Sequence, residues 1–340
     1  VRPREKKIMA AKAQSAVGFV AVLLLFAGCR SAGVPDESPG SRDSERIFLT
    51  VDFEPGQTLR YKFVSHRDMV LDWDPNALGA DQTEKRFERL EMVNAYTPVM
   101  VDPYGVSTIR VVCESVTVER SGRQYGVDAA ESAAGKTFSF TIDPRGKIVD
   151  RTELDALVQE MGAKAFRSGP SGGRVKGPDM IGDFIAGQYF LWDAMSSVEA
   201  PASGVAVGRT WRSRLPVPLP MVARRARDVT YRLSEIRTDK DKPLAIIDSV
   251  YSPADAAPTD WPIPYSGRFQ MSGTFGFLGS YRVLALEGAG QESFDVDDGR
   301  VVVDRQKYTV RMKASLPPMG IRADPHLTIE QTLTTELLAP

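Results

Sequence analysis

The sequence predicts an α+β protein dominated by antiparallel sheet, and three observations carry that expectation. From Ile47 onward, short runs rich in Val, Ile, Thr, Tyr and Phe are separated by turns of Gly, Pro, Asp and Asn, the period-2 pattern of half-buried strands. Helical spacing is confined to about residues 152–198. The strand-like runs are long, which predicts two curved sheets, candidates for an internal duplication, joined by that helical segment, with helices covering the apolar face. The corresponding organisation is 1–28, 29–46, a first β region 47–151, a helical segment 152–198, and a second β region 199–340.

In the first β region the candidate strands are Ile47–Phe53, Leu59–Trp73, Glu84–Val99, Ser107–Glu119 and Thr137–Asp143, with Lys147–Arg151 after a turn. The segment PNALGADQT separates the second and third, which predicts one long hairpin. Thr152 to about Phe166 places Leu154, Leu157, Val158, Met161 and Ala165 at helical spacing, and Thr152 with Asp155 reads as a variant capping box. The Gly-rich stretch 167–178 reads as a loop. A second helix is predicted from about Asp179 to Ser197, with Ile181, Phe184, Ile185, Gln188, Trp192 and Met195 on one buried face. The second β region offers Thr210–Leu215, Arg227–Thr238, Leu244–Tyr251, Gly267–Leu278, Ser280–Glu292, Ser293–Asp297, Arg300–Val310 and Leu327–Leu338.

The duplication rests on an echo. Phe140 to Arg151 reads strand, Asp143…Gly146 turn, strand; Phe294 to Arg305 reads strand, Asp297…Gly299 turn, strand. The two glycines would take the positive φ that such turns demand.

The first 28 residues carry an address. Arg2, Arg4, Lys6, Lys7 and Lys12 precede an uncharged apolar run, Ala16 to Ala27, and small residues then precede Cys29. This is the order of a secretory signal, and the run is too short for a membrane-spanning helix, which needs about 20 residues. With cysteine at the cut it resembles a bacterial lipoprotein signal, which implies lipidation of Cys29. Arg30 after the cysteine, where aspartate would favour the inner membrane, points to the outer membrane. The expected location is the cell envelope, periplasmic or on the outer surface. Residues 30–46 are polar and rich in Ser, Pro, Gly and charge, as in a flexible tether.

Composition excludes some partners. The 340-residue chain has a formal net charge of −1, and losing the signal's five basic residues and Glu5 leaves a mature chain near −5. A mildly acidic body argues against nucleic acid. With Cys29 lipidated, Cys113 has no disulfide partner and reads as a small buried hydrophobe on a strand face shared with Ile109, Val111, Ser115 and Thr117.

No motif points to catalysis. Ala130 to Thr137 fits a relaxed phosphate-loop pattern, but a strand follows where a helix is required. Asp72, Asp74 and Asn76 begin like a calcium loop, but Ala77 and Thr83 stand where Gly and Glu belong. His66 and His326 lie far apart with no zinc-type spacing, and Ser171 sits in a Gly-rich loop rather than on a nucleophile elbow. No cofactor or metal is expected.

The cysteine-ended signal, the phrase Val205-Ala-Val-Gly208-Arg-Thr-Trp211, and the run Gly288 to Met312 together resemble uncharacterised bacterial envelope lipoproteins with a β-rich domain of unknown function. The resemblance covers about residues 55–338 loosely and implies no catalytic residues. Lipid-carrying envelope lipoproteins with a curved sheet over helices are a more distant analogy. The expected function is non-enzymatic: an anchored envelope protein, attached to the membrane through its lipid, that binds an apolar ligand or a protein partner, with Phe184, Trp192 and Met195 lining an apolar cavity. The alternatives are an envelope scaffold with exposed apolar or edge-strand surface, and a hydrolase whose scattered carboxylates, or His66 and His326, converge in a cleft.

Overall fold

Strict alternation of apolar and polar residues specifies a sheet with one dry face, and that face organises the chain. The computed structural model describes residues 46–76, 82–122, 126–170, 172–239, 241–316 and 324–339. Cys29 and all of the tether but Arg46 lie outside them, as do Ala77 and Ser171. The chain begins with β1 (Arg46–Ile47), β2 (Leu59–Asp72), β3 (Thr83–Val101), β4 (Ser107–Arg120), β5 (Thr137–Ile142) and β6 (Ile148–Asp150). It continues through α1 (Thr152–Lys164), β7 (Phe166–Ser168), β8 (Arg174–Lys176), α2 (Ile181–Tyr189) and α3 (Asp193–Ser196). Then come β9 (Val205–Ala206), β10 (Thr210–Pro216), β11 (Ala226–Asp239), β12 (Lys242–Pro253), β13 (Gln270–Met271), α4 (Thr274–Phe277), β14 (Tyr281–Asp295), β15 (Arg300–Ala314) and β16 (His326–Leu337).

The protein is predominantly antiparallel β, and the two sheets expected from the sequence are one. Eleven strands pair in the order β10-β11-β12-β14-β15-β16-β2-β3-β4-β5-β6. The chain enters at the middle, meanders out to β6, reappears at the opposite edge as β10 and meanders back until β16 lies against β2, from His326 opposite Asp72 to Leu337 opposite Tyr61. Without that pairing, two long strands would each present unpaired amides and carbonyls to solvent. Two small sheets stand apart from it: β1 with β9, and β7–β8 with β13 running parallel to β8.

The odd residues of β2, from Leu59 to Leu71, are all buried, as are Leu90, Met92 and Tyr96 on β3. α2 covers this face closely: a Cβ at Gly187 would collide with Met92 and the Phe63 ring. The opposite face is charged. Arg60 pairs with Glu114 at 2.6 Å, Lys62 with Glu91 at 2.7 Å, and Arg89 with Glu91 at 2.9 Å, the chemistry of a wetted surface rather than the apolar band of a lipid-facing strand. No helix among the described residues is long and apolar enough to cross a membrane, which says nothing of strands.

Several local expectations give way to tertiary contacts. Leu49–Phe53 is not a strand. Instead, the Val51 amide donates to the Pro144 carbonyl at 2.9 Å and the Asp52 amide to the Gly299 carbonyl at 3.0 Å. The segment therefore threads between the two Asp…Gly turns of the sequence echo, whose glycines have φ of +85° and +58°. Gly267–Leu278 keeps only the two-residue β13, because Gly273 at φ +74° turns the chain into α4. The loop expected at 167–178 contains the β7–β8 hairpin.

The second helix breaks after Tyr189 and restarts at Asp193, which lets Phe190 face Arg227 while Trp192 turns to Phe53, Tyr96 and Phe140. The cap position of α1 is Arg151, which makes no side-chain cap bond, and just ahead of it Asp150 Oδ1 accepts from the Thr152 amide at 3.1 Å and the Thr152 hydroxyl at 2.8 Å, so no Thr152–Asp155 box forms. On β4 the register slips between Cys113 and Ser115, leaving Glu114 as an extra residue. The bulge flips the alternation, so Val116 and Val118, not Ser115 and Thr117, share the buried face with Cys113.

Candidate functional site

Two clefts open at the end of the sheet where β10 gives way to β11 and where β14 begins. Pro216, Pro218 and Pro220 cannot supply ladder amides, so the chain leaves the sheet after β10 and folds back only when the Val217 amide reaches the Arg225 carbonyl at 2.9 Å. This 217–225 loop is a shared wall. On one side lies an open cleft of about 580 Å³ whose apolar lining is Met221, Val222, Met271, Phe275 and Leu278. On the other lies a narrower space of about 90 Å³, bounded by Ile185, Leu219, Trp261 and Tyr265.

The opposing loop, 261–265, is fastened to the helices. Trp261 packs 5.3 Å from the Tyr189 ring and 5.9 Å from the Phe190 ring, and Gln159 Nε2 donates to the Ile263 carbonyl at 2.5 Å. At the base of the narrower space, Lys176 Nζ pairs with Asp179 at 2.6 Å and sits 4.4 Å from the Tyr265 ring centre. The Tyr265 hydroxyl donates to Asp179, and burial together with that carboxylate pushes the phenol well up. Large apolar side chains are exposed here: Val222, at 47%, lines both spaces, Ile263, at 48%, lines the narrower one, and Phe277, at 63%, follows the lining residue Gly276. Exposed apolar surface beside a cleft marks a binding site more often than isolated exposed residues do.

Two polar systems lie beneath the helices, and both are closed to solvent. In the first, Arg67 donates to Glu88 at 2.8 Å and to Asp183 at 3.0 Å; Ser65 donates to Asp183 at 2.6 Å, and Gln331 Nε2 to Asp183 at 3.2 Å. Arg120 extends the chain from Glu88 (3.2 Å) to Asp128 (2.7 Å). Burial alone would push Arg67 down, but Asp183 and Glu88 more than reverse this and hold it above the ordinary guanidinium value. Burial pushes Asp183 up against the pull of Arg67. Its three donors give it the environment of a carboxylate.

In the second system, Arg227 donates to Gln306 Oε1 and lies 4.4 and 4.3 Å from the Tyr251 and Tyr308 ring centres. Gln306 Nε2 donates to Asp304 at 2.6 Å, and Glu292 stands opposite Asp304 in the β14–β15 register. Gly288 and Gly290 make the room: a Cβ at Gly290 would collide with the Tyr251 hydroxyl. Burial pushes Asp304 up to about 7, and pushes Glu292 well up with the Asp304 and Asp193 charges adding to it. Asp304 can take up or release a proton near neutral pH, but neither described cleft reaches it or Glu292.

Phe184, Trp192 and Met195 are buried, and none of them lines either cleft. Trp192 fills an aromatic cluster, 6.0 Å from the Phe140 ring. Cys113 is buried and free, and burial pushes its thiol up to about 12. His66 contacts Asp68 at 3.2 Å, and the register puts His326 opposite Asp72, six residues along β2 and about 20 Å from His66, so the two histidines do not converge. Trp211 of the V-x-V-G-x-T-W phrase is structural: its indole donates to the Ala194 carbonyl at 2.7 Å. The relaxed phosphate-loop stretch is a 3-10 turn followed by β5, and the Gly135 amide donates to the Cys113 carbonyl at 2.7 Å. Asp72 and Asp74 accept from backbone amides two residues on. No group of three or more His, Cys, Asp or Glu among the described residues could hold a metal ion.

The cleft residues escaped the sequence reading because one wall lies in Gly267–Leu278, read there as a strand. The signal available was PVPLPMVARRAR, apolar residues spaced by prolines and followed by an arginine pair.

No protein-family profile matches the sequence, and no curated protein matches it. Among solved structures, the chain is similar to lipovitellin in a structure describing its lipid–protein interactions, at 9% identity and TM-score 0.37, over 85% of this chain and 26% of that one. It is also similar to a mutant Rh. blastica porin, at 7% identity and TM-score 0.20, over 83% of this chain and 100% of that one. A third is the outer membrane protein OprG from Pseudomonas aeruginosa, at 5% identity and TM-score 0.16, over 84% and 95%. The chain spans about a quarter of the lipovitellin chain. At these TM-scores none of the likenesses establishes a common fold.

Proposed function

We propose that this is a membrane-tethered cell-envelope protein, of the lipoprotein kind that its N-terminus and internal phrases resemble, and that it binds an acyl-bearing ligand without chemically altering it. The observation that carries the binding reading is the open cleft of about 580 Å³ between the 217–225 loop and residues 271–281. Its size lies within the roughly 300–1,000 Å³ of small-molecule sites, and its walls include Met221, Met271, Phe275 and Leu278 beside the exposed Val222.

A curled sheet, expected from the long strands, fits this reading. Its support is the reach of α3. Trp192 touches Phe140 on β5, while its neighbour Asp193 accepts from the Tyr231 hydroxyl on β11 at 2.7 Å. Those strands are eight steps apart, about 38 Å if the sheet were flat. A sheet wrapped around its helices leaves ligand space at its open end rather than at its filled centre.

Two experiments test the proposal. Dodecyl maltoside, a neutral single-chain amphiphile, should bind the tetherless domain in calorimetry below its micelle concentration. Val222→Asp, at an exposed rim position, should weaken that binding about tenfold, with stability unchanged within about 0.5 kcal/mol. Absence of binding, or equal binding by the variant, contradicts the cleft reading. Separately, Cys29→Ser in the full chain should move the protein from the membrane to the soluble fraction; a variant that still sediments with membranes and still gains acyl mass contradicts the tether.

A further inference from the structure

The cleft has a charge as well as an apolar wall. Arg224 and Arg225 both line it, and no acidic residue does. Arg225 donates to the Tyr281 carbonyl at 2.5 Å and to the Arg224 carbonyl at 3.1 Å; Arg224 donates to the Trp261 carbonyl at 3.1 Å. These acceptors are neutral, so they orient the two guanidiniums without cancelling their charge. Neither arginine forms an ion pair with a carboxylate among the described residues. Lys176, the third cation near the shared wall, is already neutralised by Asp179 at 2.6 Å. A guanidinium carries five N–H groups in a fixed fork, so each arginine keeps donors for a further acceptor. Two positive side chains lining an apolar slot match a chain that ends in an oxyanion.

We infer that the ligand is an anionic amphiphile whose carboxylate or phosphate is held by Arg224 and Arg225 while its hydrocarbon chain lies along Met221, Met271, Phe275 and Leu278. The inference rests on the cleft being an acyl site, and it adds the chemistry of the headgroup.

Four amphiphiles with the same twelve-carbon chain test it by calorimetry against the tetherless domain: dodecanoate, dodecyl phosphate, dodecyl maltoside and dodecyltrimethylammonium. Both anions should bind at least tenfold more tightly than the neutral and cationic compounds, and lose most of that advantage at high salt. The stronger of the two anions identifies the headgroup as carboxylate or phosphate. The Arg224→Gln/Arg225→Gln variant should lower anion affinity to that of the maltoside. Equal binding of neutral and anionic chains by the wild-type domain overturns the headgroup assignment and leaves the acyl site standing. So does a persisting anion preference in the double variant. Binding of none of the four removes the acyl site, and the headgroup assignment with it. The wild-type comparison decides the matter even where the double variant does not fold.

Discussion

Arg67→Leu is expected to destabilise the folded domain by about 3–5 kcal/mol, read as a shift in the urea or guanidinium midpoint. Arg67 has no solvent exposure and lies between two carboxylates that are themselves buried, Glu88 and Asp183. Removing the guanidinium leaves like charges facing each other in a low-dielectric space, each short of its strongest donor. The cost is that of an orphaned charge rather than of lost packing, which gives a distinguishing result. Arg67→Leu combined with Asp183→Leu should recover a substantial part of the loss, because the second change removes one of the carboxylates left unpaired. If the double variant is worse than the sum of the singles, the buried system is held together by shape and not by charge balance.

The second large effect is a dependence of stability on pH. Asp304 is held up to about 7 by burial, and Glu292 is held well above the usual carboxylate range. The unfolded chain releases these protons near pH 4, so between about pH 4 and 7 the folded state binds more protons than the unfolded one. Stability contributed by the pair is therefore greatest at acidic pH, falls as pH rises through that window, and levels off only when both groups have ionised in the folded state. Each such group adds a slope of up to about 1.4 kcal/mol per pH unit. Asp304→Asn should flatten the slope and leave the domain more stable than wild type at pH 8 by a few kcal/mol, with Glu292→Gln acting in the same direction. Chemical denaturation at pH 5, 6, 7 and 8 checks this. A wild-type stability that rises across the window, or an Asp304→Asn slope equal to that of wild type, contradicts it.

The buried polar residues also mark what the sequence could and could not disclose. Alternation on β2, β3, β15 and β16 was legible because one face is dry and the other wet, so the period-2 signal survives along long strands. The merging of two β regions into one sheet was not legible, since pairing of β16 with β2 joins residues some 260 positions apart and no local signal encodes it. Bulges were equally hidden: Glu114 looks like any polar strand residue, yet it shifts every later side chain of β4 to the other face. The burial of Arg67 and Arg227 has no local signal, and only the partners that α2, β3 and β15 bring to them explain it.

For the site, the apolar character of Phe184, Trp192 and Met195 was legible and their packing was not. A Met-and-aromatic stripe looks the same over a filled core as over a ligand. The cleft instead uses Met221 and Val222, placed where prolines release the chain from the sheet, and Met271 of the two-residue β13.

One spectrum separates these two locations most directly. With the methionine methyls 13C-labelled, titration of dodecyl phosphate into the tetherless domain should shift the Met221 and Met271 resonances together and leave Met92, Met161 and Met195 in place, because the first two line the cleft and the other three are sealed in the core. Movement of Met195 with Met221 and Met271 stationary would put the ligand under the helices and contradict the cleft as the binding site.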